Sequence, residues 1–134
     1  MLAAVARAHL LAAKGAARKP PHVTLRELAA SPLILVRRPG APGMYGDLLA
    51  ACAQAGIEAQ VAAEVGNMLT NVLLVASGVG VSVVPASMQG IQGELVAYLP
   101  LRGAGRLAAP LTLITRAAES NPALGSFVAL ARRK

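Results

Sequence analysis

An α/β layered fold with a largely parallel sheet is the fold class that this chain of 134 residues predicts. Three observations point to it. Short apolar runs alternate with helical patterns along the chain, the segment opening at Leu33 is apolar until its closing Arg37 as a strand covered on both faces would be, and glycines and prolines punctuate the joints. The length is that of about one domain, and right-handed crossovers would link the parallel strands.

Taken in order, Leu2–Ala6 is a short apolar run that suits a strand. Lys14–Pro21 is basic and turn-rich, and Pro20-Pro21 blocks helix, so this reads as a connecting loop. Thr24 followed three residues later by Glu27 makes a capping box for a short helix running through Leu28. Pro32 releases the chain into a strand over Leu33–Arg37. After "RPGAPGMYGD", Leu48, Leu49, Cys52 and Ala53 fall at helical spacing as far as Gly56, which suits a left-handed C′ position. A second strand is expected around Ala59–Glu64. Asn67 then caps a helix with apolar positions Leu69, Val72, Leu73 and Ala76, ending at Ser77-Gly78. "ELVAYLPL" and "PLTLITR" read as later strands, and Ser120 or Asn121 opens a last helix with Pro122 near its first position.

The glycines of "VASGVGVSVVPASMQ" invite a nucleotide-binding reading, but their order is wrong for it. A dinucleotide fingerprint sets its glycines after a strand and before a helix, so that first-turn amides face the pyrophosphate. Here Gly78 and Gly80 follow a helix and precede a strand. Gly78 stops the helix with positive φ, Gly80 lets the chain turn tightly, and Val81, Val83 and Val84 make a buried strand that Pro85 ends.

Composition narrows the chemistry. Of 134 residues, 29 are alanine and three are aromatic, Tyr45, Tyr98 and Phe127, so each buried side chain contributes little area. The net charge is +7, with basic residues gathered in the first 38 positions and at Arg132, Arg133 and Lys134. No aromatic interleaving accompanies them, so a solvated basic surface is favoured over nucleic-acid contact. The single Cys52 excludes an internal disulfide and a cysteine zinc cluster, suits a reducing compartment, and sits on an apolar helical face as a small hydrophobe. His9 and His22 have no carboxylate at metal or triad spacing and read as surface or linker histidines. The amino-terminal "MLAAVARAHLLAAKGAARK" has basic breaks that a secretory apolar core lacks, and no window is apolar enough for a membrane span. Ser77, Ser82 and Ser87 lack a nucleophile elbow and a histidine to activate them, so no catalytic residue, metal or cofactor is expected.

The wording of several segments carries a resemblance. "LLVASGVGVSVVPASM" is similar to the Val-Ala-Ala-Gly-x-Gly-Val-x-x-Val-Pro-x-Ser segment of the effector-binding domain of LysR-type transcriptional regulators. "LAAVARAHLLAA" resembles the strand and His-Pro-Leu-Ala that carry those proteins from one subdomain to the other. "VTLRELAASPLILVRRPGAPGMYGDLLAACAQAGI" looks like their Leu-x-x-Leu-Ala-x-x-Pro-Phe-Ile-Leu stretch with a Pro-Gly-Leu-Tyr-Asp loop. "AAEVGNMLTNVLLVASG" matches the next helix and "NPALGSFVALARRK" the closing one. The segments keep the family's order over nearly the whole chain. His9-Leu10 lacks the family's proline after histidine, and Leu33 stands where an aromatic residue is common, which blurs the crossover and its packing.

The resemblance implies a periplasmic-binding-protein-like (type 2) effector-binding fold, one subdomain essentially complete and the other partial. Residues 1–134 would be an effector-binding domain fragment, with 9–96 as subdomain II, while 1–8 and 97–134 supply crossover strands and the closing helix of a partial subdomain I. The amino-terminal winged helix-turn-helix of such regulators is not seen in these residues. A small carboxylate or aromatic-acid-like effector would lie in the cleft between subdomains, in a cytoplasmic, homo-oligomeric regulator (dimer or tetramer) that meets promoter DNA through the other domain and touches no membrane. A periplasmic-type solute-binding protein fragment shares the fold physics and is the first alternative, and a small α/β enzyme is the second.

The resemblance also directs attention to a site. The loop Arg38–Tyr45 follows the carboxyl end of a strand and opens a helix, so amides of Gly43, Met44 and Tyr45 can meet a carboxylate while the helix dipole favours its charge. Arg38 adds a charge-assisted contact. By family position Pro42, Gly43 and Met44 would line the cleft, joined by Val65, Gly66 and Asn67 from the next strand-to-helix loop. A plain turn remains the other reading of the first loop. Tyr45 is open between an inward hydroxyl and an outward packing ring, and Glu64 is read as a strand-end charge in preference to a group orienting an effector hydroxyl.

Overall fold

The structure, a computed structural model, describes residues 1–37, 43–105, 107–109, 113–116 and 121–132. In chain order its elements are β1 (Leu2–Ala6), α1 (Leu10–Ala16), β2 (Val23–Thr24), α2 (Leu25–Ala29), β3 (Leu33–Val36), α3 (Gly43–Gln54), β4 (Val61–Val65), α4 (Met68–Ala76), β5 (Ser82–Val84), β6 (Val96–Arg102) and α5 (Pro122–Ala131).

The strands form a four-stranded sheet ordered β2-β6-β1-β5 and a two-stranded sheet β3-β4. A parallel bridge between Leu33 and Val81 joins them, with the Ile34 amide donating to the Val81 carbonyl at 2.8 Å and the Val81 amide to the Pro32 carbonyl at 2.9 Å. The strip therefore runs β2, β6, β1, β5, β3, β4. β2 is parallel to β6 and β3 to β4, but β1 is antiparallel to both β5 and β6. The sheet is mixed where a largely parallel one was expected, because β1 lies in its middle and runs against its neighbours. Strand direction leaves no mark in a short run of alanine and valine, which satisfies either ladder.

Side chains alternate between two faces with the period of two that strands impose. Ala3 and Val5 of β1, Leu33 and Leu35 of β3, Val83 of β5 and Leu99 of β6 join a core with Leu11 of α1, Leu25 and Leu28 of α2, and Leu48 and Cys52 of α3. On the other face Ala4, Ile34, Val84 and Val96 pack with Val72 and Val75 of α4. The result is three layers, with α1, α2 and α3 on one side and α4 on the other. Full burial of each Leu, Ile or Val contributes roughly 1.5–3 kcal/mol, and the alanines contribute far less.

Local chemistry sets the helix boundaries. Thr24 accepts from the Glu27 amide while the Glu27 carboxylate accepts from the Thr24 amide, a complete capping box. Asn67 caps α4 by accepting from the Thr70 amide, and Asn121 opens α5 with Pro122 in its first turn. Gly56 and Gly78 end α3 and α4 with φ of 63° and 76°. At Gly80 a Cβ would collide with the Pro32 carbonyl, the price of bringing β5 against β3.

Several boundaries differ from expectation. α1 reaches Ala16, inside the stretch expected to be loop from Lys14, because His9 acts as its N-cap, Nδ1 accepting from the Leu11 amide at 3.2 Å. α3 already begins at Gly43, and β4 is displaced to Val61–Val65. Of the strand expected over Pro110–Arg116, residues 110–112 lie outside the described residues, and Leu113–Arg116 are exposed with no regular structure. No described strand lies beside them to complete a ladder, and an apolar run alone does not make a strand.

Candidate functional site

Register and connectivity place the site. β3 and β4 are parallel, with Leu35 opposite Glu64 and Val36 opposite Val65, so their carboxyl ends stop side by side. Each strand is followed in the chain by a helix, α3 beginning at Gly43 and α4 at Met68, and the hydroxyl of Tyr45 in the first turn of α3 reaches Glu64 of β4. The parallel bridge at Val81 brings the carboxyl end of β5 to the same edge. Open α/β sheets bind ligands at the carboxyl ends of their strands, where first-turn amides lack intrahelical acceptors and the helix dipoles favour negative charge. A cavity of about 370 Å³ opens there, lined by Arg37, Glu64, Val65 and Gly66.

Glu64 organises the polar wall of that cavity. Ala63 and Val65 pack toward the α4 core, so alternation along β4 turns Glu64 to the opposite face, where α3 lies. Arg37 Nη1 donates to Glu64 Oε2 at 3.1 Å, and the Tyr45 hydroxyl donates to Glu64 Oε1 at 3.3 Å. The Arg37 guanidinium also stands 5.7 Å from the Tyr45 ring centroid, within cation–π range. The Arg37 amide donates to the Val65 carbonyl at 2.9 Å, which fixes its backbone to the ladder. Hydrogen bonding to Glu64 and its charge raise the Arg37 pKa.

Of the residues read from sequence, Arg38 and Pro42 lie outside the described residues. Gly43, Met44 and Tyr45 form the first turn of α3. Val65 ends β4, Gly66 follows it, and Asn67 caps α4, so these three share one edge. The Tyr45 ring packs partly against the core and its hydroxyl reaches Glu64. The Asn67 side-chain oxygen is engaged with the Thr70 amide at 2.8 Å, which leaves its amide NH₂ as the group to offer a ligand. Arg37 was missed. The available signal was the alternation that puts residue 37 on the face of Leu35, whose cross-strand partner is Glu64.

Other sites offer less. Cys52 is buried, and burial pushes its thiol pKa up, the opposite of an activated nucleophile. His9 Nε2 lies 3.3 Å from Ser31 Oγ, and His22 Nδ1 lies 2.8 Å from the Pro20 carbonyl, so both serve local structure. Among the described residues no group of three or more His, Cys, Asp or Glu could hold a metal ion, and no helix is long and apolar enough to cross a membrane. A cavity of about 460 Å³ between α1 and β6 has Arg7 and Tyr98 in its wall, but Arg7 Nε is bonded to the Gly93 carbonyl and the Tyr98 hydroxyl to the Ile91 carbonyl.

Comparison with known proteins agrees with this fold. The family model described as the LysR substrate binding domain matches residues 2–134. The HTH-type transcriptional regulator TfdS of Cupriavidus pinatubonensis is 32% identical over 110 residues, which is 82% of this chain and 37% of that protein. The chain thus spans little more than a third of the length of the curated relatives it matches. Among solved structures, the LysR family transcriptional regulator CbnR superposes with a TM-score of 0.79 at 29% identity, covering 98% of this chain and 43% of CbnR. The BenM effector binding domain with its effector benzoate gives 0.65 at 26% identity, over 75% of this chain and 44% of that one.

Proposed function

The chain belongs to the LysR substrate binding domain family, and from that premise we propose that it senses a small carboxylate or aromatic-acid-like effector for a DNA-binding transcription regulator. The observation that carries the proposal is a cavity at the carboxyl ends of parallel β3 and β4, lined by Arg37, Glu64, Val65 and Gly66, with α3 and α4 following those two strands in the chain. The effector carboxylate sits against the first-turn amides from Gly43 to Tyr45, with Met44, Val65, Gly66 and the Asn67 NH₂ around it, and the proposed site also takes in Arg38 and Pro42. The similarity to BenM, solved with benzoate, supports a small aromatic acid as the ligand class.

In this proposal residues 9–96 are one subdomain, and 1–8 with 97–134 belong to a second that this chain represents in part. Effector binding favours one angle between the subdomains, and a cytoplasmic dimer or tetramer carries that preference to promoter DNA through a separate domain. CbnR, itself solved with its target DNA, is the precedent for that output. The chain is a sensor and not an enzyme. Ser82 is buried and donates to the Ile34 carbonyl, and Ser77 donates to the Leu73 carbonyl, so both hydroxyls serve the fold.

A thermal-shift screen of benzoate, hydroxybenzoates and aliphatic dicarboxylic acids tests the site. At a hundredfold excess over Kd a true ligand stabilises the fold by about 2.7 kcal/mol. Gly43→Pro combined with Asn67→Ala removes one first-turn donor and one cap, and is expected to abolish most of that ligand-induced shift. A stabiliser whose shift survives both substitutions binds elsewhere.

A further inference from the structure

The effector edge has a polar wall whose charges are already balanced, and that balance selects the part of a ligand lying furthest from the helix termini. Arg37 and Glu64 form an ion pair at 3.1 Å with side chains 59% and 39% exposed, and both line the cavity with Val65 and Gly66. A second ligand carboxylate there would meet an arginine already neutralised and a glutamate that repels it. An apolar group would cover both ions without replacing their water, which costs more than the contact returns. Each Glu64 oxygen receives one donor within this cluster, from Arg37 or from Tyr45. A carboxylate oxygen can accept two, and a guanidinium has five N–H groups, so the pair can offer one acceptor and one donor side by side. A hydroxyl satisfies both at once, donating to Glu64 and accepting from Arg37.

We infer that Arg37 and Glu64, steadied by Tyr45, form a hydroxyl-recognising subsite, and that the effector is a hydroxylated monocarboxylic acid. The carboxylate lies at the α3 and α4 amino termini and the hydroxyl at the Arg37–Glu64 pair. This rests on the effector-site reading above and deepens it, since that reading is indifferent to what the far end of the ligand carries. Glu64 acts as the specificity determinant because it both accepts from the hydroxyl and cancels the arginine that would otherwise attract a second carboxylate.

Amide NMR titration of the ¹⁵N-labelled chain with benzoate, 4-hydroxybenzoate and terephthalate separates the two ideas. All three present the same benzoate end, so benzoate shifting the amides of Tyr45, Gly66 and Asn67 supports the effector site by itself. The subsite requires 4-hydroxybenzoate to bind about tenfold tighter than benzoate, as expected for a hydrogen bond to a charged group, with terephthalate the weakest. In Glu64→Ala the hydroxyl preference falls to parity and terephthalate overtakes benzoate, because Arg37 is freed. The isosteric Glu64→Gln, which keeps the shape of the wall, also raises terephthalate binding. A purely structural role for Glu64 would weaken all three ligands together. Equal binding of the three acids to the unaltered chain, or an order that Glu64→Ala leaves unchanged, overturns the subsite while leaving the effector site standing. No response to any of them overturns both.

Discussion

Glu27 is the most heavily bonded ionisable side chain in the described structure, and its surroundings give a testable pH dependence. Arg18 holds it bidentately at 2.7 and 2.8 Å, Lys14 approaches to 2.9 Å, and the Thr24 amide and hydroxyl donate at 3.0 and 2.8 Å. Arg18 first, then Lys14 and Thr24, hold its carboxyl well below the usual carboxylate range. A depressed folded-state pKa stabilises the fold above the unfolded value of about 4.3, and the contribution is lost as pH falls below it. Glu27→Gln should therefore lower the melting temperature at neutral pH, with the gap closing as thermal melts are taken from about pH 5 down toward pH 2. A gap that stays constant over that range would show that the ion pairs contribute nothing. Only part of this cluster was legible in the sequence. Thr24 and Glu27 are three residues apart on one helical turn and follow a local rule, whereas Arg18 reaches Glu27 across a nine-residue separation that spans a turn. Arg37 and Glu64 are 27 residues apart, and their meeting depends on strand register, which composition does not encode.

At the scale of elements, the passage from α4 into β5 shows how one glycine lets two sheets meet. Gly80 packs so closely on the Pro32 carbonyl that a Cβ has no room, and Ile34 Cγ1 stands 3.3 Å from where that atom would be. Gly80→Ala should destabilise the chain by about 1–3 kcal/mol through overpacking, measured as a shift in the urea midpoint at unchanged m-value. A change below about 0.5 kcal/mol, typical of open surface positions, would mean the strands move apart easily. Helices with side-chain caps were readable, since caps act over three or four residues. α1 was not, because its cap is His9, outside the usual Ser, Thr, Asp and Asn set, and because it depends on long-range packing: Gly15 lies against Val23 and Leu99. Polar contacts across the sheet were equally invisible. Asn71 Nδ2 donates to Ser82 Oγ, which donates to the Ile34 carbonyl, both at 2.8 Å and fully buried, tying α4, β5 and β3 together.

For the whole molecule, ordered wording in the sequence indicated the family and the layered class, while strand order and the antiparallel β1 came only from pairing. Beyond Arg102 less was readable. The expected strand near Leu113 is not present in its described part, and α5 has no buried residue, with Phe127 and Leu130 more than half exposed. Among the described residues, α5 is an apolar helix that covers no core.

The joint between the two sheets has a kinetic consequence. Along the backbone, β3 and β5 are joined by two hydrogen bonds, Ile34 to Val81 and Val81 to Pro32, whereas β1 and β6 share a register of five residue pairs. Ladders this unequal do not open together, and local opening follows the weaker seam. The β3-β4 piece is then expected to part from the β2-β6-β1-β5 sheet at this seam before that sheet unravels. Native-state hydrogen exchange should show it as faster deuterium uptake at the Ile34 and Val81 amides than at Ala4 and Tyr98, and equal rates at the four positions would contradict it. If the proposed effector site lies on that same piece, a bound effector should slow exchange at Ile34 and Val81 without touching either residue.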